Sequence, residues 1–486
     1  MVDKACFTMA KFLSRALAAV LVFSYGLFTL VLYGLIAVKN GTYFKRPTER
    51  EELELQLARD RLWNLSEDFE GLSHHMLTLQ SGFKFHFVAN DKPNTPETID
   101  SDRPLVIFIH GFPDSWAIWR HILKSPSLRQ AASLVAIDLP GYGGTESLDK
   151  YNATNVLEKL TELIITLRIQ YGVDSSEESN KKRTIIVAHD WGCVLSMRLA
   201  AEAPALAHRF ILSNGPTAKL VQANVHRILS TTKKMLGNAW RSPRHARVPL
   251  MQALRTLAPL ARQLFLSGYI FAMQMPVPFV LQFLTGGNYS LLKGVHLRAS
   301  GGILTPYEAA EGMASSMGPS VAEFKSKTAS GDTYPATLEN ERAFAHVMHM
   351  AGYYRDHASV ARWEKSIETV ASLHSISSGS EMRRSSSGAG LFDEGPTGAL
   401  KASSTIFWGQ QDIALDQRIC LDGMADFLVN DSQIVLLPRT GHWTPVEPES
   451  RAALIKVVEW AAHGEQGDVG AVIQKSYPGA KVTVRR

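Results

Sequence analysis

The segment Ile185–Cys193 constrains the fold of this chain more than any other. It reads Ile-Ile-Val-Ala-His-Asp-Trp-Gly-Cys, an apolar run that ends in a small-x-Asp-x-small pattern with Ala188 and Gly192 as the small residues. Helix-forming residues, Val194–Ala200, follow at once. A strand, a tight turn and a helix in this order are typical of a nucleophile elbow, which lifts one side chain above the end of a sheet. The apex residue is Asp190, so the pattern predicts a carboxylate nucleophile.

Short apolar runs elsewhere predict the rest of a sheet. Helix-like segments such as Trp116–Leu123 separate them. Strands that alternate with helices form mostly parallel sheets. We therefore predict an α/β fold with a mostly parallel eight-stranded sheet. Its strands are His75–Leu79, Lys84–Ala89, Leu105–Ile109, Leu134–Ile137, Ile185–Val187, Phe210–Leu212, Thr405–Trp408 and Ile434–Leu437.

The chain is predicted to divide into seven regions. They are a membrane anchor (1–40), a connector (41–74), the first part of the α/β core (75–216), a helical lid (217–365), a Ser/Gly-rich disordered insertion (366–403), the second part of the core (404–463) and a flexible tail (464–486). The lid enters between two late strands, so we expect it to cover the carboxyl ends of the sheet. Its segment Leu264–Leu284 is apolar enough to suggest a second membrane span, but Arg262, Gln274 and Pro276 favour a buried lid helix.

An uncharged apolar run, Ala16–Val38, lies near the N-terminus. A transmembrane helix needs about 20 such residues to cross a hydrocarbon core of about 30 Å. The apolar part of a cleaved signal peptide is shorter, about 7–15 residues. We therefore predict a single-pass membrane anchor and expect a protein of the endoplasmic reticulum membrane. Its orientation stays open, because basic residues such as Arg15 and Lys39 flank both ends of the run.

The formal net charge of +5 is distributed unevenly. No Asp or Glu occurs between Glu202 and Glu308, a stretch that includes most of the predicted lid. This surface is either a solvated helical face or a contact with anionic lipid headgroups or an acidic substrate. No nucleic-acid-binding motif accompanies the charge, so we expect no nucleic acid partner. The bases of this stretch are Arg209, Lys219, Arg227, Lys233, Lys234, Arg241, Arg244, Arg247, Arg255, Arg262, Lys293 and Arg298.

The three cysteines, Cys6, Cys193 and Cys420, lie far apart and form no Cys-x-x-Cys pair. This spacing argues against a disulfide framework or a zinc site. We predict neither a metal nor a cofactor, and we interpret Cys193 as a small core residue.

Three loop positions follow the chain order nucleophile, acid, histidine. Asp190 lies at the elbow, Asp412 follows the strand Thr405–Trp408, and His442 follows the strand Ile434–Leu437. A lone Asp or His in a loop is usually a cap or a surface residue. Such residues at the ends of successive strands, in this order, instead favour a catalytic site.

A further loop supplies candidate donors for an oxyanion hole. His-Gly-Phe-Pro, His110–Pro113, directly follows the strand Leu105–Ile109. The backbone N–H groups of Phe112 and Trp191 could together stabilise an oxyanion at this end of the sheet.

The sequence resembles the epoxide hydrolase branch of the α/β-hydrolase superfamily. The resemblance extends from about Leu77 to Ala462, without the Ser-rich insertion, and departs from the family pattern at Ala188 (usually Gly) and Pro140 (usually Arg). It implies an α/β-hydrolase fold with a helical lid and the hydrolysis of epoxides to vicinal diols without a cofactor. The matching segments are His110–Trp116, Asp138–Gly143, His189–Gly192 and Gly441–Trp443.

A carboxylate nucleophile suits an epoxide, which offers an sp3 carbon. Aspartate has a reference pKa of about 3.9, so it is ionised at neutral pH and needs no base to attack. Attack would leave a glycol ester on Asp190. His442, oriented by Asp412, would then activate the water that hydrolyses this ester.

The resemblance also implies two lid tyrosines that protonate the departing oxygen. Tyr269 matches the first. The second falls in Gly352–Asp356, where Tyr354 is favoured over Tyr353 but the choice stays open. A buried lid tyrosine is more often only a packed amphipathic side chain, which is the alternative. The residues expected to contact the substrate are Phe112, Pro113 and Trp191.

Two other functions remain open. A haloalkane dehalogenase uses the same Asp nucleophile, but it needs side-chain donors for the halide, commonly just after His-Gly, where this chain has Phe112. A non-catalytic, membrane-anchored binding protein could retain the fold. A serine esterase is excluded at the elbow. We expect a small lipophilic epoxide and water as substrates, and the sequence leaves the oligomeric state open.

Overall fold

The computed structural model describes residues 2–173, 182–340, 343–384 and 395–485. Within these residues nine strands form one sheet in the order β1-β2-β4-β3-β5-β6-β7-β8-β9. The strands are β1 (Ser73–Thr78), β2 (Lys84–Ala89), β3 (Leu105–Ile109), β4 (Ser133–Ile137), β5 (Thr184–His189), β6 (Arg209–Ser213), β7 (Ser404–Gly409), β8 (Gln433–Leu437) and β9 (Lys481–Val484).

Six neighbouring strands of the sheet run parallel, in the order β4-β3-β5-β6-β7-β8. Strands β1 and β2 at one edge and β9 at the other pair antiparallel. Every residue of β3, β4 and β5 is buried. Continuous apolar strands of this kind are expected where helices cover both faces of a parallel sheet. Because the six strands are parallel, the loops that leave their carboxyl ends meet along one edge.

Helices cover both faces of the sheet and its carboxyl edge, and α8 to α14 lie in the chain between β6 and β7. The helices are α1 (Val2–Lys39), α2 (Glu49–Trp63), α3 (Pro96–Ile99), α4 (Arg120–Leu123), α5 (Pro126–Ala131), α6 (Ala153–Gln170), α7 (Trp191–Glu202), α8 (Ala218–Arg241), α9 (Arg247–Leu266), α10 (Gly268–Met273), α11 (Val277–Ala299), α12 (Pro306–Met317), α13 (Ala336–Asn340), α14 (Ala343–Arg355), α15 (Ile367–Arg384), α16 (Gln417–Leu421), α17 (Pro448–Ala462) and α18 (Val469–Ser476).

The mostly parallel sheet and the helical segment between β6 and β7 agree with the predicted fold class. The predicted count of eight strands is wrong by one, because the tail predicted to be flexible from 464 onward contains α18 and β9. Val469, Ile473 and Tyr477, spaced by four residues, are buried. Their apolar stripe holds the tail on the body, and β9 then pairs with the open edge of β8.

The insertion predicted to be disordered is partly helical. α15 occupies its first half, and Glu158 of α6 accepts hydrogen bonds from the Ser366 N–H (3.2 Å) and the Thr369 hydroxyl (2.8 Å). A carboxylate at the start of a helix stabilises it, a tertiary contact that composition does not reveal. Residues 385–394 of the insertion lie outside the described residues.

The predicted buried helix Leu264–Leu284 is wrong in two respects. The segment is broken into the end of α9, the short α10 and the start of α11, with Pro276 at the second break. It is also not fully buried, since Phe265 is 74% exposed. Within the described residues, one stretch is long and apolar enough to cross a membrane, Ala16–Lys39 of α1, which could be an anchor or a signal sequence.

Candidate active site

Asp190 occupies the tight turn between β5 and α7. Its backbone has φ 52° and ψ −118°, a conformation that L-residues rarely adopt. Strain of this kind is tolerated where the surrounding structure fixes the turn, and it is frequent at functional sites. The side chain is 14% exposed, in contrast to the fully buried strand that precedes it. The turn therefore presents the carboxylate above the end of the sheet.

His442 lies between two carboxylates. Its Nε2 is 3.4 Å from Oδ2 of Asp190, and its Nδ1 is 2.8 Å from Oδ2 of Asp412. The structure thus brings together the three side chains that the sequence pattern predicted as nucleophile, base and acid, each on a loop that follows a different parallel strand.

Asp412 is held by a set of donors that includes Asn214, which sequence reasoning missed. Asn214 donates from its side-chain amide to Oδ2 of Asp412 at 2.7 Å. The backbone N–H groups of Ala414 and Leu415 donate to Oδ1 at 2.7 and 2.9 Å. Asn214 directly follows β6, so the same strand-end signal that identified Asp412 would have identified it.

His189 and Glu447 position the loop that carries His442. His189 Nε2 lies 2.9 Å from the backbone oxygen of His442, and since a carbonyl only accepts, the imidazole donates. The Gly441 N–H donates to the Glu447 carboxylate at 3.0 Å. Two contacts from different elements therefore hold the backbone on both sides of the imidazole.

The loop after β3 brings Phe112 to the elbow. The Phe112 N–H donates to Oδ1 of Asp190 at 2.8 Å. A Cβ atom at Gly111 would lie 2.3 Å from that oxygen and 2.6 Å from the backbone nitrogen of Trp191, so only glycine permits this approach. The backbones of Phe112 and Trp191 and the carboxylate of Asp190 thus lie together at the elbow. Pro113, next along this loop, is buried.

Tyr269 of α10 and Tyr354 of α14 face the elbow from the lid. Their ring centroids are 5.8 Å apart, in an edge-to-face contact. The ring of Tyr354 also packs edge-to-face against Trp191 at 4.9 Å and against Phe112 at 5.6 Å. The two tyrosines and the predicted substrate-contacting aromatic residues therefore form one cluster beside Asp190.

Tyr353 and Tyr354 differ in the surroundings of their side chains. The Tyr353 hydroxyl donates to the backbone oxygen of Pro140 at 2.9 Å, and its side chain is fully buried. Tyr354 is only partly buried. Because the hydroxyl of Tyr353 is engaged away from the elbow, Tyr354 is the member of the pair whose position suits a proton donor.

The charges of the three central residues are strongly coupled. Burial alone would lower the pKa of His442, but the charge of Asp412 and the hydrogen bonds to both carboxylates raise it to about 10. Burial alone would raise the pKa of Asp190, but the hydrogen bond and charge of His442 hold it below its usual value. At neutral pH the resting site therefore holds an imidazolium between two carboxylates.

The lid tyrosines stay protonated across the physiological range. Burial, followed by the negative charge of Asp190, raises the pKa of Tyr269. Burial and the neighbouring Tyr269 raise the pKa of Tyr354. Both phenols are thus available as hydrogen-bond donors. Within the described residues, no group of three or more His, Cys, Asp or Glu side chains could hold a metal ion.

Residues 106–455 match the model of a family described as the alpha/beta hydrolase family. Epoxide hydrolase 3 of Mus musculus is 26% identical over 235 residues, which is 47% of this chain and 48% of that protein. Epoxide hydrolase 3 of Xenopus tropicalis is 30% identical over 155 residues, covering 31% of this chain and 36% of that protein. The chain thus matches less than half the length of these curated relatives.

Among solved structures, the Cif epoxide hydrolase from Acinetobacter nosocomialis is similar in fold. It is 16% identical, with a TM-score of 0.51, and the match covers 87% of this chain and 98% of that chain. At this identity the likeness supports the architecture alone, in agreement with the sheet order and the lid described above.

Proposed function

This chain belongs to the α/β-hydrolase family, and we propose that it hydrolyses epoxides to vicinal diols through a covalent ester on Asp190. The observation that carries the proposal is a carboxylate at the elbow apex, 3.4 Å from His442, with two lid tyrosines facing it. Relatives named epoxide hydrolases support the same activity.

In the first step, Asp190 would attack one ring carbon of the epoxide. Phe112 holds Oδ1 at 2.8 Å, so Oδ2, whose contact with His442 is the longer one at 3.4 Å, would form the new bond. The carbon–oxygen bond of the ring breaks, and its electron pair passes to the departing oxygen. Tyr269 or Tyr354 donates the proton that converts this oxygen to a hydroxyl. The product is a glycol ester with a free hydroxyl group.

In the second step, His442 would activate water. Ester formation removes the negative charge of Asp190, which is one cause of the high pKa of His442. That pKa then falls, so the imidazolium gives up its proton, which restores the phenol that was deprotonated in the first step, and the neutral imidazole can accept a proton from water. The hydroxide attacks the ester carbonyl, whose oxyanion lies at the N–H groups of Phe112 and Trp191. Collapse expels the diol oxygen, which takes back the proton held by His442, and the acid left on Asp190 then gives its proton to the imidazole, which restores the resting carboxylate.

The site suits an epoxide better than a haloalkane. A departing halide requires N–H donors, and the side chain of Phe112 has none. A departing alkoxide requires a proton, which a buried phenol can supply. The aromatic walls formed by Phe112, Trp191 and Tyr354 favour a lipophilic substrate.

We also propose that α1 is a retained membrane anchor, with an endoplasmic reticulum location as a prediction. Thr29 of α1 is buried against the chain, and the Tyr25 hydroxyl donates to the backbone oxygen of Leu264 at 2.8 Å. A segment that is removed after targeting does not need a face complementary to the mature protein. The segment 217–365 would act as the lid, with its bases facing anionic headgroups.

The decisive experiment is turnover of a panel of epoxides, from epoxy fatty acids to styrene-type epoxides, by membranes that contain the full chain. We expect diol formation that exceeds the background of membranes containing Asp190→Ala. In the His442→Gln variant, the ester should form but persist, so mass spectrometry should find a substrate-mass adduct on the Asp190 peptide. Absence of both diol and adduct across the whole panel would reject an epoxide hydrolase.

A further inference from the structure

We infer that the outward face of α9 docks into the lipid surface beside α1, so that the lid receives its substrate from the bilayer. This inference rests on the proposed function for its kinetic consequence, but the docking itself can be measured without activity. The occupant of the surface is a membrane with anionic headgroups.

An unpartnered apolar stripe runs along the whole length of α9. Val248, Met251, Leu254, Ala258, Ala261 and Phe265 recur at intervals of three or four residues, and all of them are exposed. Val248 is 64% exposed and Leu254 63%. A 20-residue helix is about 30 Å long, so the stripe is a continuous apolar surface along the helix and not a single exposed side chain. No described element of the chain covers it.

The charge around the stripe matches an anionic surface. Arg247 and Arg255 lie on the same side of α9, and no Asp or Glu occurs between Glu202 and Glu308. Arg262 of the same helix instead pairs with Asp416 at 3.4 Å. Long basic side chains can lay their apolar stems in the interface and hold their charges at the headgroups. A helix with one apolar face flanked by bases is typical of interfacial binding. Trp240, 85% exposed at the end of the preceding helix α8, suits the same interface.

The stripe is continuous with the membrane-spanning candidate. The C-terminal end of α9 meets α1 at the hydrogen bond from Tyr25 to Leu264. A Cβ atom at Gly26 would lie 2.6 Å from the backbone oxygen of Phe271, so the two helices approach as closely as small residues allow in membrane helix pairs. Further along, the rings of Tyr33 and Phe283 meet at 5.4 Å. These contacts join α1 to α9, α10 and α11.

The contacts also fix the depth at which the lid meets the membrane. Gly26 lies thirteen residues before the end of α1 at Lys39, which corresponds to about 20 Å at the rise of an α-helix. If α1 spans the bilayer, α10 therefore packs against it within the hydrocarbon region. Since Tyr269 is on α10, one wall of the candidate active site then packs against the membrane-spanning helix.

Depth-dependent fluorescence quenching tests the docking. Single cysteines at Phe265, Leu254 and the buried Ala253 are labelled with nitrobenzoxadiazole in the full-length Cys6→Ser chain, reconstituted in vesicles with 30 mol% phosphatidylglycerol. Ile367→Cys is the matched control, because Ile367 is 84% exposed on α15, which packs against the core. We expect lipid-attached nitroxides to quench labels at 265 and 254 at least twofold more than the label at 367.

The outcomes are distinguishable. Equal quenching at 265, 254 and 367, with iodide in the water reaching all three, overturns the docking. Intermolecular crosslinking of the cysteine at 265, with no lipid quenching there, would instead assign the stripe to a second copy of this chain, and it would also overturn the inference. The label at 253 checks that introducing a probe into α9 does not by itself produce lipid contact.

Surface-dilution kinetics test the consequence for the substrate. We expect the rate at constant bulk epoxide to fall as unlabelled lipid is added. The L254E/F265E variant should raise KM, expressed as the mole fraction of epoxide in the lipid, about fivefold or more, while kcat stays within about twofold. The matched Ile367→Glu variant should change neither. Rates that depend only on bulk concentration, with unaltered KM, would overturn delivery from the bilayer. If no epoxide is turned over at all, the proposed function fails, while the quenching still decides the docking.

Discussion

The two sides of the candidate active site are held in different ways. On the core side, hydrogen bonds of 2.7–2.9 Å fix Asp412 and the loop of His442, and each partner lies at the end of a strand or on the loop that follows it. On the lid side, hydrogen bonds of 2.7 Å from Gln274 and Arg355 join the backbones of α10 and α14. The phenol rings of Tyr269 and Tyr354 are themselves placed by ring contacts of 4.9–5.8 Å. Directional bonds to a buried sheet fix the reacting atoms, whereas ring packing can adjust to the bound substrate.

Removal of the nucleophile on the core side should have the largest effect. Asp190→Ala eliminates the atom that forms the ester, so we expect diol formation to fall at least about a thousandfold, as for other covalent nucleophiles. The measurement is initial rate in reconstituted vesicles, with circular dichroism to verify folding. A folded Asp190→Ala protein that retains normal turnover would show that the core side does not supply the nucleophile.

Because the pKa of His442 depends on the charge of Asp190, formation and decay of the ester should have different pH profiles. His442 has a pKa of about 10 while Asp190 is ionised, and this pKa falls when the ester forms. Decay of the ester needs the neutral imidazole, so its rate should rise about tenfold per pH unit from pH 6 to a midpoint below 10. Formation of the ester should stay flat up to about pH 9. Quenched-flow mass spectrometry of the Asp190 peptide measures both rates, and parallel profiles would contradict this coupling.

The lid tyrosines should contribute less, and should affect the first step alone. Tyr269→Phe and Tyr354→Phe each leave one phenol as donor, so we expect ester formation to slow by roughly ten- to a hundredfold while ester decay is unchanged. Tyr353→Phe is the matched control, because its hydroxyl bonds the Pro140 carbonyl, and its rate of ester formation should stay within about threefold. A larger loss in Tyr353→Phe than in Tyr354→Phe would reverse the assignment within this pair.

The contact between α1 and the lid should have the smallest effect. Gly26→Leu would force the helices apart at Phe271, which displaces α10 and Tyr269 slightly. We expect KM to rise by less than about tenfold with ester decay unchanged, since lid packing affects substrate positioning more than water activation. Gly34→Leu is the matched control, because a Cβ atom there meets no neighbouring atom within 4 Å. Loss of ester decay in Gly26→Leu alone would show that the two sides are not independent.

Sequence periodicity predicted the core side because each of its residues lies on the turn or loop that follows an apolar strand. Asp190, Asp412, His442 and Phe112 all occur at such positions, and parallel strands bring their carboxyl ends together. The same rule could have found Asn214 after β6. It could not have found that the tail is held by the burial of Tyr477 or that α15 is held by the carboxylate of Glu158. Both depend on contacts between residues distant in the chain.

The sequence by itself determined the fold class, the Asp at the elbow and the order of the three core residues, because these follow from local strand, turn and helix preferences. The tertiary structure alone decided which tyrosine of the pair Tyr353 and Tyr354 faces the elbow, and that the segment Leu264–Leu284 is broken and partly exposed. It also decided that α1 packs on the helix of Tyr269. Helix–helix packing depends on which faces meet, and a helical period leaves that choice open.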